Sequence, residues 1–264
     1  MILIYSALGA TKNYHDQEMM KKTLIAFVNS VMMQTDKEFR LFLVGHDRPD
    51  FLNNKAVIWH SLSCDAENEL TLIPTALPKS VKDKIEYRPE GPKGKLEDMS
   101  RKVRQGVIDA VLWAYKNRLE EFWLMRMDSD DLLAKDTVQR IHALDKVGNR
   151  AVYNKTCHMF DMKTGQIAVH YYPYSTTPNA LKFGIKSDGT LIPDWFYLCL
   201  DHTHFRRRVK TDGILNRELD FTYCIVTNSG NSISGRETLT KVEHNVLTPL
   251  TNFLIKRYGI DKLL

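Results

Sequence analysis

The 264 residues contain no C-x-x-C pair, no apolar run long enough to span a bilayer, no internal repeat and no low-complexity tract. The four cysteines, Cys64, Cys157, Cys199 and Cys224, are scattered. They offer neither a thiolate zinc site nor a disulfide framework, and they suit a reducing compartment. A spanning helix needs about 18 or more apolar residues, and the least charged later stretch, residues 164–181, is interrupted by Pro173 and Pro178. The apolar start, Met1 to Leu8, lacks a basic region and is too short for a signal sequence, so it reads as a buried strand. Also missing are the G-x-x-x-x-G-K-[ST] loop, the G-x-G-x-x-G fingerprint and the G-x-S-x-G elbow. Those absences remove the defining features of P-loop, dinucleotide and serine-hydrolase chemistry.

What is present fits a folded globular protein. Hydrophobic residues make up 43% and charged residues 26% of the chain, an ordinary balance with enough length for a sizeable core. Lys and Arg exceed Asp and Glu by 37 to 32, a net charge of +5 that favours anionic partners. Strand-like and helix-like patterns alternate through the first half, as in a parallel sheet with crossover helices. The expected elements are a strand over residues 1–6, an amphipathic helix over 15–33, strands at 39–44 and 57–59, a helix over 95–117 and a strand over 122–127. Residues 53–94, with Pro74, Pro78, Pro89 and Pro92, read as a long surface excursion. The second half predicts short strands at 151–154, 166–171 and 195–200 and a helix over 216–226, α+β material packed on the first half.

Asp128 and Asp130 stand where the apolar strand Phe122 to Met127 ends. With 20 aspartates in the chain, chance alone supplies about 1.5 D-x-D triplets, so the triplet gains meaning from its place. Ligands of open α/β sheets bind outside the carboxyl ends of the strands. Two carboxylates there can hold a hard divalent cation. The plain alternative is that Ser129, Asp130 or Asp131 caps a helix starting near Leu132.

The order of elements, with the segments QTDKEFRLFLVGHD, KGKLEDMSRKVRQGVIDA and FWLMRMDSDD, resembles a GT-A glycosyltransferase. FRRRVKTDGILNRELDFTYCIVTNSG is similar, more loosely, to the acceptor-side segment of inverting, family 2-like and rhamnosyl-type members. The resemblance covers about residues 1–230 and implies a Rossmann-like, mostly parallel sheet with helices on both faces and a smaller acceptor-side α+β part. It further implies a single domain over 1–264, with a nucleotide-sugar-binding half (1–131) and an acceptor-binding half (132–264). By resemblance, Ser6, Ala7 and Asp47 would line the base and ribose pocket. Arg101, flanked by Asp98 and Lys102, would reach the nucleotide. Asp128 would face the ribose or the metal, and Asp130 would hold Mn²⁺ or Mg²⁺ on the diphosphate, with His244 completing the shell.

Glycosyl transfer suits such a set, since the departing nucleoside diphosphate needs a Lewis acid and cations beside it. A carboxylate must also take the proton of the attacking hydroxyl when the reaction inverts. Glu218 and Asp220 are the candidates, Asp201 and Glu237 the substitutes, and a solvated first-turn helix carboxylate is the plain alternative for Glu218. Arg206, Arg207 and Arg208, with Lys210, would bind an anionic acceptor, or form a solvated strand end. His202 and His204 would share one face of a strand. The aromatics Tyr171, Tyr172, Tyr174, Trp195, Phe196 and Tyr197 would stack on sugars or belong to the core.

These readings give a nucleotide-diphosphate sugar as donor partner and a saccharide as acceptor. DNA with a hydroxymethylated base is the alternative acceptor, and a sugar-phosphate nucleotidyltransferase or a non-catalytic binding module are rival classes. The expected location is the cytoplasm of a bacterium or of a virus-infected cell, soluble or peripheral to a membrane.

Overall fold

The computed structural model describes residues 1–8, 17–45, 48–50, 52, 54–61, 95–148, 150–193, 202–227 and 245–264. Its first half is a four-stranded parallel layer of β1 (Ile2–Ala7), β2 (Phe39–Gly45), β3 (Val57–Ser61) and β4 (Glu121–Arg126), in the order β3-β2-β1-β4. All six residues of β1 are buried. A strand covered on both faces must be apolar throughout, which is why the first residues show no alternation.

Two crossover helices supply the covers. Leu24, Phe27, Val28 and Val31 of α1 (Gln17–Met32) cluster with Ile2, Ile4, Leu41 and Leu43 on one face. Val103, Val107, Ala110, Val111 and Ala114 of α2 (Lys95–Lys116) cluster with Leu3, Tyr5, Phe42 and Leu124 on the other. The 3.6-residue apolar stripe in each sequence is the stripe that is buried. Gly106 lets α2 sit directly on β1, since an added Cβ would lie 3.2 Å from Tyr5 Cβ.

Beyond β4 the sheet changes direction and becomes mixed, correcting the mostly parallel expectation. The 19-residue strand β7 (Ile167–Ile185) runs antiparallel to both β4 and β6 (Ala151–Asp161). Completing the eleven strands found among the described residues are β5 (Leu132–Leu133), β8 (Leu191–Ile192), β9 (Asn216–Glu218), β10 (Tyr223–Thr227) and β11 (Asn245–Thr248). Pro173 and Pro178 do not end β7, because β6 shifts register opposite that stretch, between Val152 and Asn154 and again between Asn154 and Thr156. Irregular pairing tolerates a residue without an N–H.

Further expectations are corrected. Residues 216–226 form β9, a turn and β10 rather than a helix. There Leu219, Phe221 and Tyr223 alternate with polar neighbours, and Phe221 takes the left-handed φ of 57° that closes the turn. The arginine run lies in α4 (His202–Thr211), not at a strand end, and in a helix residues two apart, such as His202 and His204, do not share a face. Leu132 opens strand β5, and the helix after it, α3 (Thr137–Asp145), begins five residues later. The piece at 195–200 lies outside the described residues. No helix among the described residues is long and apolar enough to cross a membrane.

The chain closes with α5 (Asn252–Tyr258), which starts on a Thr251 cap accepting from Leu254 N at 3.3 Å and stops at Gly259, φ 70°. Buried Tyr258 anchors it: the hydroxyl donates to Phe221 O at 3.1 Å and lies 2.8 Å from His158 Nδ1. Burial, helped by the Arg257 guanidinium, pushes His158 down to about 4 from its ordinary 6.5. Between those values the unfolded chain takes up this proton more readily than the folded one. The melting temperature should therefore fall as the pH drops from 6.5 towards 4, and the fall should be shallower in His158→Gln; parallel profiles for the two proteins would acquit His158.

Candidate active site

The strand order reverses between β1 and β4, and the ligand crevice of an open α/β sheet lies at such a switch, beyond the carboxyl ends of the strands. Alternation defines what faces that crevice. Phe122 and Leu124 of β4 belong to the α2-side core, so Arg126 continues their face beyond the last apolar residue. Leu181 and Phe183 do the same for β7, which puts Asn179, the register partner of Arg126, beside it. Tyr153 of β6 packs in the same core, and Glu218 of β9 is its register partner. The α2-side face is thus apolar along the strand bodies and turns polar in one row: Arg126, Asn179, Tyr153, Glu218.

Asp128 and Asp130 stand just past β4. Arg126 Nη2 lies 3.5 Å from Asp128 Oδ1, and Asp131 N donates to Asp128 O at 3.2 Å, folding the acidic triplet into a turn. Burial, and then the neighbouring Asp128 carboxylate, push Asp130 up to about 7 from 3.8. Desolvation and like charge together raise such a carboxyl group, and a nearby cation would favour its ionised form. Asp131 is used differently, its Oδ1 accepting from Val226 N at 3.2 Å and tying β10 to the turn.

Lys102 is wholly buried in α2, one helical turn before Gly106. Since Gly106 rests on Tyr5, that turn carries Lys102 about 6 Å further towards the strand ends. Ala7 shares the α2-side core, whereas Ser6 points to the opposite face, where its buried hydroxyl finds no hydrogen-bond partner among the described residues. The buried Asn179 Oδ1 likewise finds no donor there. Asp98, Arg101 and Arg208 lie on helices with their side chains outside the described set, as are Asp47, Asp201, Glu237 and His244 altogether.

The two base candidates have different surroundings. Asp220 Oδ1 accepts from Lys155 N at 3.3 Å and Thr156 N at 2.8 Å, bracing the irregular stretch of β6. Glu218 Oε2 lies 3.5 Å from Lys155 Nζ, and its carboxylate is half-buried. Arg206 reaches back over the sheet, its guanidinium 5.4 Å from the Tyr153 ring centre, while Arg207 is exposed. Sequence reasoning missed Arg126, Asn179, Tyr153 and Lys155. Arg126 had a signal, being the one charge inside the run Phe122 to Met127; the others depend on cross-strand register that no local pattern reports.

A hard divalent cation fits the donor set. Asp128 and Asp130 offer oxygen ligands, the Asp128 carboxylate standing close enough to raise the proton affinity of Asp130, and Mg²⁺-type sites take one or two carboxylates and complete their shell with water and substrate phosphates. A separate group of possible ligands, Asp36, Glu38 and His142, lies near the start of β2. There His142 Nδ1 is 2.7 Å from Asp36 Oδ2.

No protein-family model and no curated protein matches the chain. Among solved structures, the crystal structure of S. aureus TarS is similar to it at 16% identity, covering 61% of this chain and 22% of that one, with a TM-score of 0.32. The apo form of mouse xyloside xylosyltransferase 1 is similar at 10% identity, covering 58% of this chain and 52% of that one, with a TM-score of 0.31. The chain spans about a fifth and about half of the lengths of these two structures. Likeness this slight carries no weight for activity.

The raised affinity of Asp130 for a proton has a measurable cost. The folded state holds this proton up to about pH 7 and the unfolded chain only to about 3.8, so stability declines as pH rises through that interval. In metal-free buffer Asp130→Asn should melt higher than the parent at pH 8, by about 2–4 °C for each 1 kcal/mol relieved, and the gap should close near pH 4. Equal melting temperatures at pH 8 would show that the pair is not strained.

Proposed function

We propose that the chain is a nucleotide-sugar-dependent glycosyltransferase. The observation that carries the reading is the Asp128–Asp130 pair at the carboxyl end of β4, beside β1 at the reversal of strand order. Arg126 pairs with Asp128, and the buried Lys102 lies on α2; both are cations suited to a diphosphate. Mn²⁺ or Mg²⁺, held by Asp128 and Asp130, would supply Lewis-acid neutralisation of the departing diphosphate.

The chain's own groups then divide the work. Lys102 and Arg126 face the charge that develops on the leaving group, in a setting where burial magnifies the interaction. The end of β1, with Ala7, takes the nucleoside in this reading. In a displacement with inversion the acceptor hydroxyl oxygen bonds to the anomeric carbon as the carbon–oxygen bond to the diphosphate breaks, and the electron pair leaves on the diphosphate. The hydroxyl proton goes to a carboxylate on the far side. Glu218 is that carboxylate in this reading, because Asp220 already accepts two backbone N–H groups.

The acceptor is a saccharide in this reading. Each of five nucleoside diphosphates (UDP, GDP, ADP, CDP, dTDP) is to be added with and without Mn²⁺ in a thermal-shift assay. One of them should raise the melting temperature in a metal-dependent way, a ligand at 100 times its Kd contributing about 2.7 kcal/mol. Asp130→Asn should abolish that shift, despite its higher starting stability. No shift with any nucleotide, or a shift that survives the substitution, would remove the reading.

A further inference from the structure

Away from the candidate active site, Asp36, Glu38 and His142 bring one ligand atom each to within 4.8 Å of one another, and His142 Nδ1 lies 2.7 Å from Asp36 Oδ2. A turn sets the spacing of the two acids, with Glu38 N donating to Asp36 Oδ1 at 2.9 Å. The histidine comes from another element, α3, and the segment before β2 is fastened to that helix and its approach. Gln34 Oε1 accepts from Val138 N at 3.0 Å, and Thr35 N donates to Lys135 O at 2.8 Å. Thr35 Oγ1 donates to Gln139 Oε1 at 3.1 Å, and Gln139, three residues before His142, shares its side of the helix. The imidazole is thus aimed at the two carboxylates by contacts other than its own.

The charges around the group leave room for a cation. Lys37, between the two acids in sequence, turns away and donates from Nζ to Met32 O at 2.7 Å, at the carboxyl end of α1. Besides His142, the positive group acting on Asp36 is the Met1 ammonium, and no lysine or arginine pairs with either carboxylate among the described residues. The place is also remote from the acidic pair. Asp36 and Glu38 precede β2 while Asp128 and Asp130 follow β4, and both strands run parallel to β1, so the two groups stand at opposite edges of the sheet. The seven residues of β2 put about 20 Å between the two levels.

We propose that Asp36, Glu38 and His142 form a second metal site, one for a divalent transition metal of the zinc class. One imidazole nitrogen with two carboxylate oxygens is a donor set that suits Zn²⁺, whereas Mg²⁺ favours oxygen ligands throughout. Three protein ligands leave the fourth tetrahedral position to water. On binding, the metal takes the place of the imidazole proton between Nδ1 and Oδ2; the proton leaves to solvent and both atoms bond the metal. His142 Nε2 is buried and has no hydrogen-bond partner among the described residues. Metal-bound histidines usually rest that second nitrogen on an acceptor, and its loss weakens binding about 10–100-fold, which makes this a micromolar site. The bound ion clamps α3, the helix that follows the acidic turn, to the start of β2.

Calorimetry of the metal-free full chain with ZnCl₂, in excess Mg²⁺ to fill any all-oxygen site, tests the proposal. One Zn²⁺ per chain should bind with a micromolar Kd and raise the melting temperature. Glu38→Gln, at an exposed position, and His142→Gln, which keeps a donor towards Asp36, should each weaken binding tenfold or more while circular dichroism stays unchanged. Asp130→Asn should bind Zn²⁺ as the parent does. Co²⁺ in place of Zn²⁺ should give the parent the visible absorption of a four-coordinate ion, and His142→Gln should lack it. No Zn²⁺ binding, an affinity unchanged in either glutamine variant, or an affinity lost in Asp130→Asn overturns the proposal. Zn²⁺ binding of this kind stands whether or not any nucleotide shifts the protein, so the two readings fail separately.

Discussion

The approach of α2 to β1 governs the rest of the molecule. Gly106 has no side chain to hold the helix away from Tyr5, and the α2-side residues of β1, Leu3, Tyr5 and Ala7, are buried in the core that the helix covers. Lys102, one turn earlier on the same helix, is enclosed rather than solvated. A buried ammonium is costly unless negative charge lies near it. The acidic turn after β4 lies at the same end of the sheet, so packing of the apolar core and placement of charge at the crevice follow from one close contact.

The aspartates show how the same residue type is put to different uses. Asp131 and Asp220 accept backbone N–H groups and fasten β10 and β6. Asp136 receives the Arg257 guanidinium at 3.1 and 3.2 Å and helps seat α5. Asp36 meets His142. Each of these is compensated by a neighbour already in the chain. Asp130 is instead pushed by burial and by Asp128 towards holding a proton.

The first half was legible because its signals are local. A helix buried along one stripe repeats every 3.6 residues and a strand buried on both faces is a continuous apolar run, so α1, α2, β1, β2 and β4 lie within two residues of their expected bounds. The second half depends on pairings that are distant in sequence. Leu219, Tyr223 and Val226 are spaced as a helix would space them, yet β6 recruits the segment on both sides of the Phe221 turn into strands. The opposite error concerned the arginine run, read as a solvated strand end; Phe205 and Val209, four apart and both buried, are the helical signal it carried. At the candidate site the acidic pair was readable from its place at a strand end, while the row Arg126, Asn179, Tyr153, Glu218 comes from four strands and exists only through register.

That register also explains why β7 matters more than its own side chains suggest. A purely parallel sheet would need a crossover between β4 and its neighbour. The antiparallel β7 instead runs back along β4, with Asn179 opposite Arg126, and restores in β6 the direction of β4. The carboxylate pair then belongs to the parallel half and the Lys155–Glu218 pair to the mixed half, at one level of one face. The acidic pair and a second set of charges are thereby brought to within about two strand spacings. The reversal of strand direction, which looks like a departure from a simple α/β plan, is the feature that places the two sets of charges side by side.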